Sequence, residues 1–348
     1  MKKEVLSFLQ REVQNNHIPG AVLHVSFQGE VLLQEAVGNK VVSPEKSPMG
    51  LDTIFDLASL TKVVATLPAV LKLLDHGLVR LDDRVSYFLP EFGKAGKEEI
   101  RIRHLLTHTG GLPAFHNFYL ESLTTEQIMD RIYEQELIYP IGSKVIYSDL
   151  GLITLYKLIE AVTEQAFPEF LKKEIYEPLK MLETGFNPTY PRERFAATEY
   201  CEHLNGYKQG IVHDENTESM GGISGHAGLF STVTDLANFT SMIENDGVFN
   251  GKQILSSSAL ELSRKNFTAF DSEYRGLGWI LNSPCLSSCG DYFSDTSYGH
   301  TGFTGTSIWF DPKVKLHVIL LTNRVHFGRK DHILRLRPRL HNLIRANL

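Results

Sequence analysis

The 348-residue chain is poor in cysteine, with three, and in tryptophan, with two, and it has no excess of basic charge. Cys201, Cys285 and Cys289 are odd in number and follow no metal-ligand spacing. That argues against a disulfide scaffold, leaves no metal site in view, and makes reduced thiols in a cytoplasm the expectation. Lysine and arginine total 35 against 41 acidic residues, a net charge of −6, so no basic footprint points to nucleic acid. No apolar run approaches the roughly 18 residues of a membrane span. The opening stretch MKKEVLSFLQREVQNN starts with two lysines but then carries Glu4, Gln10, Arg11 and Glu12. It lacks an unbroken apolar core and a small-residue cleavage site, so it does not read as an export signal. A cytoplasmic protein acting on a small molecule or peptide is the expectation.

What is present is the balance of a soluble globular chain, 42% hydrophobic and 22% charged. Val5, Phe8, Leu9 and Val13 recur at helical spacing and mark an amphipathic N-terminal helix. AVLHVSF and VLLQEAV flank the turn QGE, which predicts an antiparallel hairpin over residues 21–37. Helical patterns follow at 59–76, 124–135, 149–164, 168–176 and 233–245. Strand patterns return in GLGWIL, TSIWFDP and VKLHVILLTN, and DHILRLRPRLHNLIRANL closes the chain as a helix interrupted at Pro338. The fold class expected is α/β (α+β): one antiparallel sheet built from both termini and flanked by helices, around an inserted, mostly helical region. One catalytic unit fits, with residues 1–57 and 266–348 as its sheet part and 58–265 as its helical part.

Three stretches carry chemistry. In FDLASLTKVVATLPAVLKLLDHG, Ser59 and Lys62 lie one helical turn apart, ahead of the apolar stripe Val63, Leu67, Val70, Leu71 and Leu74. A serine hydroxyl needs a neighbouring base to become a nucleophile, and a lysine serves as one only when its pKa is depressed. Ser59 as a helix N-cap with a solvated Lys62 is the plainer alternative. Pro68 inside this pattern predicts a kink or an earlier helix end. A second S-x-x-K, Ser43 and Lys46, lies among prolines that prevent a helix. In YPIGSKVIYSDLGLITLYKLIE, Tyr147 and Asp149 precede a helix, where a phenol can relay protons or a carboxylate can cap. In SYGHTGFTGTSIWF, His300, Thr301 and Gly302 open a glycine-rich segment where backbone N–H groups can approach a ligand, or where a hairpin simply turns.

Taken in this order, S-x-x-K, Y-S-D and H-T-G resemble the serine β-lactamase and penicillin-binding-protein superfamily, in the branch of class C β-lactamases, D,D-peptidases, D-aminopeptidases and esterases. IRIRHLLTHTGGL (100–112) and GHAGLFSTVTDLANF (225–239) are similar to further stretches of that family. The resemblance implies a serine hydrolase without cofactor. Ser59 would form an acyl-enzyme, Lys62 and Tyr147 would share proton transfer, and the N–H groups of Ser59 and Phe303 would form the oxyanion hole. Asp149 stands where class C enzymes have an amide, and it either holds Lys62 charged or selects a substrate donor. His300 stands where they have a lysine, and it is mostly neutral at pH 7.

FAATEYCEHLNGYKQGIVHDENTESMGGISGHAGLFST resembles a subgroup that includes muramoyl-L-alanine amidases. Its His213, Asp214, Asn216 and His226, with Glu199, are expected to line the substrate cleft or to form a loop network; metal ligation is the least fitting alternative, since the spacing is no zinc pattern. His104 and His108 are expected to stabilise their loop. An amide in a muropeptide is the leading substrate. Alternatives are a D,D-carboxypeptidase or weak β-lactamase acting on a β-lactam, a carboxylesterase acting on an ester, and a catalytically silent ligand sensor.

Overall fold

The computed structural model describes residues 1–284 and 287–348, so Cys285 lies outside the described residues. Seven antiparallel strands form the main sheet. The N-terminal part of the chain supplies β1 (Gly20–Phe27), β2 (Glu30–Val41) and β3 (Ser47–Pro48). The C-terminal part supplies β4 (Ile280–Leu281), β5 (Tyr298–Thr301), β6 (Ser307–Asp311) and β7 (Leu316–Thr322). Their order is β4-β5-β6-β7-β1-β2-β3, so the last strand pairs with the first and places Leu23 opposite Leu320. The expected hairpin is present and longer than its pattern. Gln28 and Gly29, at φ 54° and 83°, make a two-residue turn whose twist matches the flanking strands.

Six longer helices occur among the described residues: α1 (Lys2–Gln14), α2 (Leu67–Asp75), α3 (Thr125–Glu134), α4 (Asp149–Thr163), α5 (Val233–Glu244) and α6 (His332–Arg345). Helix α3 opens on a reciprocal cap between Thr124 and Gln127. Phe8 and Leu9 of α1 and Leu336 and Leu340 of α6 pack with Val318 and Leu320 on one face of the sheet. On the other face Ile319 and Leu321 belong to the larger core cluster, which also takes in Val70 of α2, Leu155 of α4 and Phe239 of α5. Successive side chains of a strand point to opposite faces, so covering both faces explains why every residue of β7 is buried.

Two proline expectations need correcting. Helix α6 runs through Pro338 without a break. Leu334, four residues earlier, is exposed, so the carbonyl left without a donor lies on the solvent side. Pro68 ends no helix either. Residues Lys62–Thr66 form a π-helical turn, and Pro68 sits in the first turn of α2 behind it. The Val64 carbonyl, which no N–H of Pro68 can reach, accepts the Tyr176 hydroxyl at 3.3 Å. The pattern at 168–176 likewise divides into an α-helical Phe167–Leu171 and a π-helical Lys172–Tyr176. Strand β5 carries no strand signal of its own; it exists because Tyr298 and His300 pair with Phe310 and Ile308 of β6. Among the described residues no helix is long and apolar enough to cross a membrane.

Candidate active site

Ser59 lies in a 3₁₀ turn, Ala58–Leu60, held from both sides. Before it, Phe55–Asp56 pairs with Leu229–Ser231 in a small sheet, and the Leu57 N–H donates to the Leu229 carbonyl at 2.9 Å. The buried Asp56 carboxylate accepts the Ala58 N–H at 2.8 Å and the His213 N–H at 2.6 Å. Ala58 is thereby fixed at φ 47°, a conformation that strains any residue with a Cβ. Ser59 therefore projects from a sharp turn, and its side chain makes no helix cap.

Lys62 is completely buried. Its ammonium donates to Ser59 Oγ at 3.0 Å and to the His226 carbonyl at 3.1 Å, and it forms an ion pair with Asp149 at 2.8 Å. Burial alone would depress the Lys62 pKa, but Asp149 and then Tyr147 outweigh it and leave the value raised. Asp149 is thus paired with Lys62, and it caps nothing. The Lys62 ammonium also lies 4.8 Å from the centre of the Tyr147 ring.

Tyr147 is placed by His108. The residues on either side of it are pinned there, Ile146 N–H to the His108 carbonyl at 2.8 Å and Ser148 N–H to His108 Nδ1 at 3.1 Å. The His108 ring lies 4.6 Å from the phenol ring, and His300 lies 6.1 Å from it. His104 accepts the Arg101 N–H at 3.1 Å and serves its own loop. His300 is buried, with Nδ1 donating to the Thr301 carbonyl at 2.9 Å and Nε2 unpaired. Burial, then the charges of Lys62 and Arg275, hold its pKa well below the imidazole range, so it is neutral. Thr301 continues β5 and pairs with Ser307. Gly302 packs so tightly on residue 57 that a Cβ would lie 2.4 Å from the Leu57 carbonyl oxygen. That docking carries Phe303 to the rim beside Ser59.

A cleft of about 340 Å³ opens over these groups, lined by Ser59, Tyr147, Asp149, Phe115, Phe303 and Arg329 among others. His213, Asp214, Asn216 and His226 also reach its wall, but their polar atoms are engaged with one another and with the loops. His226 bridges Asp214 at 3.0 Å and Ser224 at 2.8 Å, His213 meets Glu199 at 2.9 Å, and Asn216 Nδ2 donates to the His116 carbonyl at 2.7 Å. Burial opposes ionisation of Asp214, yet His226 holds its pKa below the usual carboxylate range. Hydrogen bonding to His213 first, then to Arg329, holds Glu199 at about 2. No cluster of metal-holding geometry occurs among the described residues. Cys201 and Cys289 carry free thiols outside the cleft lining.

Two arginines that the sequence did not single out belong to this region. Arg275 is 4% exposed and places its guanidinium 5.3 Å from the Tyr147 ring centre. Arg329 binds Glu199 at 2.9 Å and Glu215 at 2.6 Å, 5.5 Å from the Phe303 ring. Both come from stretches with no motif, which is why pattern reading passes over them.

The Beta-lactamase family model matches residues 6–342. The chain belongs to that family. This β-lactamase-family hydrolase is 34% identical, over 86% of its length and 73% of the relative's, to a putative D-alanyl-D-alanine carboxypeptidase of Escherichia coli K12. It is 32% identical to the N-acetylmuramyl-L-alanine amidase of Bacillus subtilis 168, over 93% and 81% of the two chains. Among solved structures it is similar in fold to EstCE1, a hydrolase with promiscuous acyltransferase activity (TM-score 0.78, 23% identity, covering 97% and 98%). It is similar also to the octameric penicillin-binding protein homologue from Pyrococcus abyssi (TM-score 0.77, 23% identity, covering 98% and 77%).

Proposed function

We propose that this family member cleaves an amide bond in a peptidoglycan-derived peptide through an acyl-enzyme on Ser59. The observation that carries the reading is the buried ammonium of Lys62, bonded at once to Ser59 Oγ and to Asp149. Being held charged, Lys62 donates to Ser59 Oγ and cannot take its proton, so the base is Tyr147 in its phenolate form, which becomes the neutral phenol as Oγ attacks. Attack by Oγ on the carbonyl carbon puts negative charge on the carbonyl oxygen, stabilised by the N–H groups of Ser59 and Phe303. Tyr147 then returns the proton to the departing amine nitrogen, and a water repeats the sequence on the ester.

The charges of the cleft support an amidase over a carboxypeptidase. Asp149, Asp214 and Glu215 line it, and each lining cation is already engaged: Lys62, just beneath, by Asp149, and Arg329 by Glu199 and Glu215. Among the described lining residues a free C-terminal carboxylate finds no unpaired cation, whereas amide N–H groups and sugar hydroxyls can share carboxylate oxygens that keep further lone pairs beside their ion pairs. A muropeptide cut between its lactyl carbonyl and the peptide amine fits those terms. D,D-carboxypeptidase action is the second reading, favoured by the name of the E. coli relative.

The test is intact-protein mass after incubation with a penicillin and with an activated ester, wild type beside Ser59→Ala, followed by product analysis on a muramoyl pentapeptide. A Ser59-dependent adduct with release of a free peptide amino terminus is expected. Release of D-alanine instead selects the second reading, and no Ser59-dependent adduct or product sinks both.

A further inference from the structure

Phe303 is the first central residue of a four-residue turn closed by the Gly305 N–H to the Gly302 carbonyl at 3.1 Å. The turn's own hydrogen bond leaves the Phe303 N–H unused. Thr304 and Thr306 hydroxyls tie the turn to the segment before Ser59, donating to the Asp56 and Leu57 carbonyls at 2.8 and 3.0 Å. The far side of the turn is gripped by two arginines. Arg337 Nη2, from the middle of α6, donates to the Gly302 carbonyl at 3.0 Å and to the Thr306 carbonyl at 2.9 Å. Arg324 Nε donates to the carbonyl of Phe303 itself at 2.8 Å, and its guanidinium lies 4.7 Å from the Phe303 ring centre.

These contacts have a direction. The Gly302 carbonyl and the Phe303 N–H are opposite ends of one peptide unit. A cation hydrogen-bonded to that oxygen draws electron density from the nitrogen and makes its N–H a stronger donor, since linked hydrogen bonds polarise one another. Arg337 is 3% exposed, and among the described residues its hydrogen bonds go to carbonyls rather than to a carboxylate that would cancel its charge. Burying a cation with only neutral acceptors costs stability, and α6 would gain from an apolar residue there.

We propose that Arg337 and Arg324 are positioning residues for catalysis, fixing the turn at 302–306 and polarising the Phe303 N–H as an oxyanion donor. The proposal rests on the acyl-enzyme reading of Ser59. Burial, then the neighbouring Arg324, lowers the Arg337 pKa, but it remains protonated at neutral pH.

The full-length protein is acylated with p-nitrophenyl acetate, and the burst rate is compared in the wild type, Arg337→Gln, Arg337→Lys and Arg324→Gln. Glutamine keeps a donor without charge, and lysine keeps both. Arg337→Gln is expected to slow acylation about ten- to a hundredfold at saturating ester, since displacing or weakening one oxyanion donor costs that much or more. Arg337→Lys should recover most of the loss. The isotope-edited infrared band of the acyl-enzyme ester carbonyl should move to higher frequency in Arg337→Gln and, by less, in Arg324→Gln. A purely structural arginine would lower thermal stability and leave that band in place. Unchanged burst rate and band in the folded variants would overturn the proposal, as would a lysine variant no better than glutamine. If Arg337→Gln fails to fold, the band in Arg324→Gln decides. A wild type without a Ser59-dependent burst refutes the acyl-enzyme reading and this inference with it.

Discussion

Asp149→Asn is the substitution whose consequences follow most directly from the geometry. At 2.8 Å and an effective dielectric of about 20, the charge pair with Lys62 is worth about 6 kcal/mol before desolvation. Removing one partner of a buried pair costs about 3–5 kcal/mol, and the lower end applies because Asp149 is 25% exposed. With an unfolding entropy of roughly 2.1 cal/mol/K per residue, about 0.7 kcal/mol/K for this chain, 3 kcal/mol lowers Tm by about 4 °C. The pH dependence is the sharper reading. In the wild type the raised Lys62 value means that the pair stabilises fully below lysine's ordinary range and fades only above it. In the variant the larger opposing influence is gone and burial, opposed only by Tyr147, pulls Lys62 down, so stability is lost as pH falls from about 10. The gap in Tm between the two proteins should therefore be widest near pH 7 and narrow towards pH 10. Adding Lys62→Met to Asp149→Asn should restore most of the loss, because no uncompensated buried charge remains. Thermal melts of the wild type, Asp149→Asn and the double variant across this pH range are the assay. Equal melting points at pH 7, or a gap that widens with pH, would refute the ion-pair account.

Acid should unfold the protein through its histidines. Burial first holds His24 and His341 at about 4, so below about pH 6.5 the unfolded chain takes up protons that these two refuse, and each removes about 3 kcal/mol as pH falls to 4. Denaturant midpoints at pH 7, 5.5 and 4.5 should decline in that order, and His24→Gln should flatten the decline. Gly302→Ala forces a Cβ to 2.1 Å from Thr306 Oγ1, so it should cut Ser59 acylation at least tenfold while burst amplitude reports the folded fraction. Ala58→Gly relieves the positive φ and should leave Tm level or slightly higher; a drop of several degrees would show that the turn carries no strain.

Much of this was legible in the sequence, and for physical reasons. Periodicity marked α4 and β7 because each buries a regular face, and the turn at Gln28-Gly29 announced its hairpin. Ser59, Lys62, Tyr147 and Asp149 were singled out by the order of their motifs, and the fold brings them together at one cleft, where their catalytic roles are our proposal. Pro68 and Pro338 misled, since tertiary contacts and solvent take up carbonyls that local rules leave stranded. His226 and His213 were expected either to line the cleft or to form a loop network, and they do both, with their rings bonded to Asp214 and Glu199. Arg275, Arg324, Arg329 and Arg337 gave no signal, because an arginine's partner across the fold is not written beside it.

The pairing of β1 with β7 also has a history during synthesis. On a ribosome, Phe27 emerges long before Leu316, so one side of β1 lacks its neighbour while nearly 290 residues are added. At about 5–20 residues per second that interval lasts roughly 15 to 60 s, during which AVLHVSF offers a bare strand edge to other chains. Expression yield should therefore depend on translation speed and on chaperones that shield nascent edges. A circular permutant joining the present ends and opening in a surface loop would make the two strands close in time as well as in space.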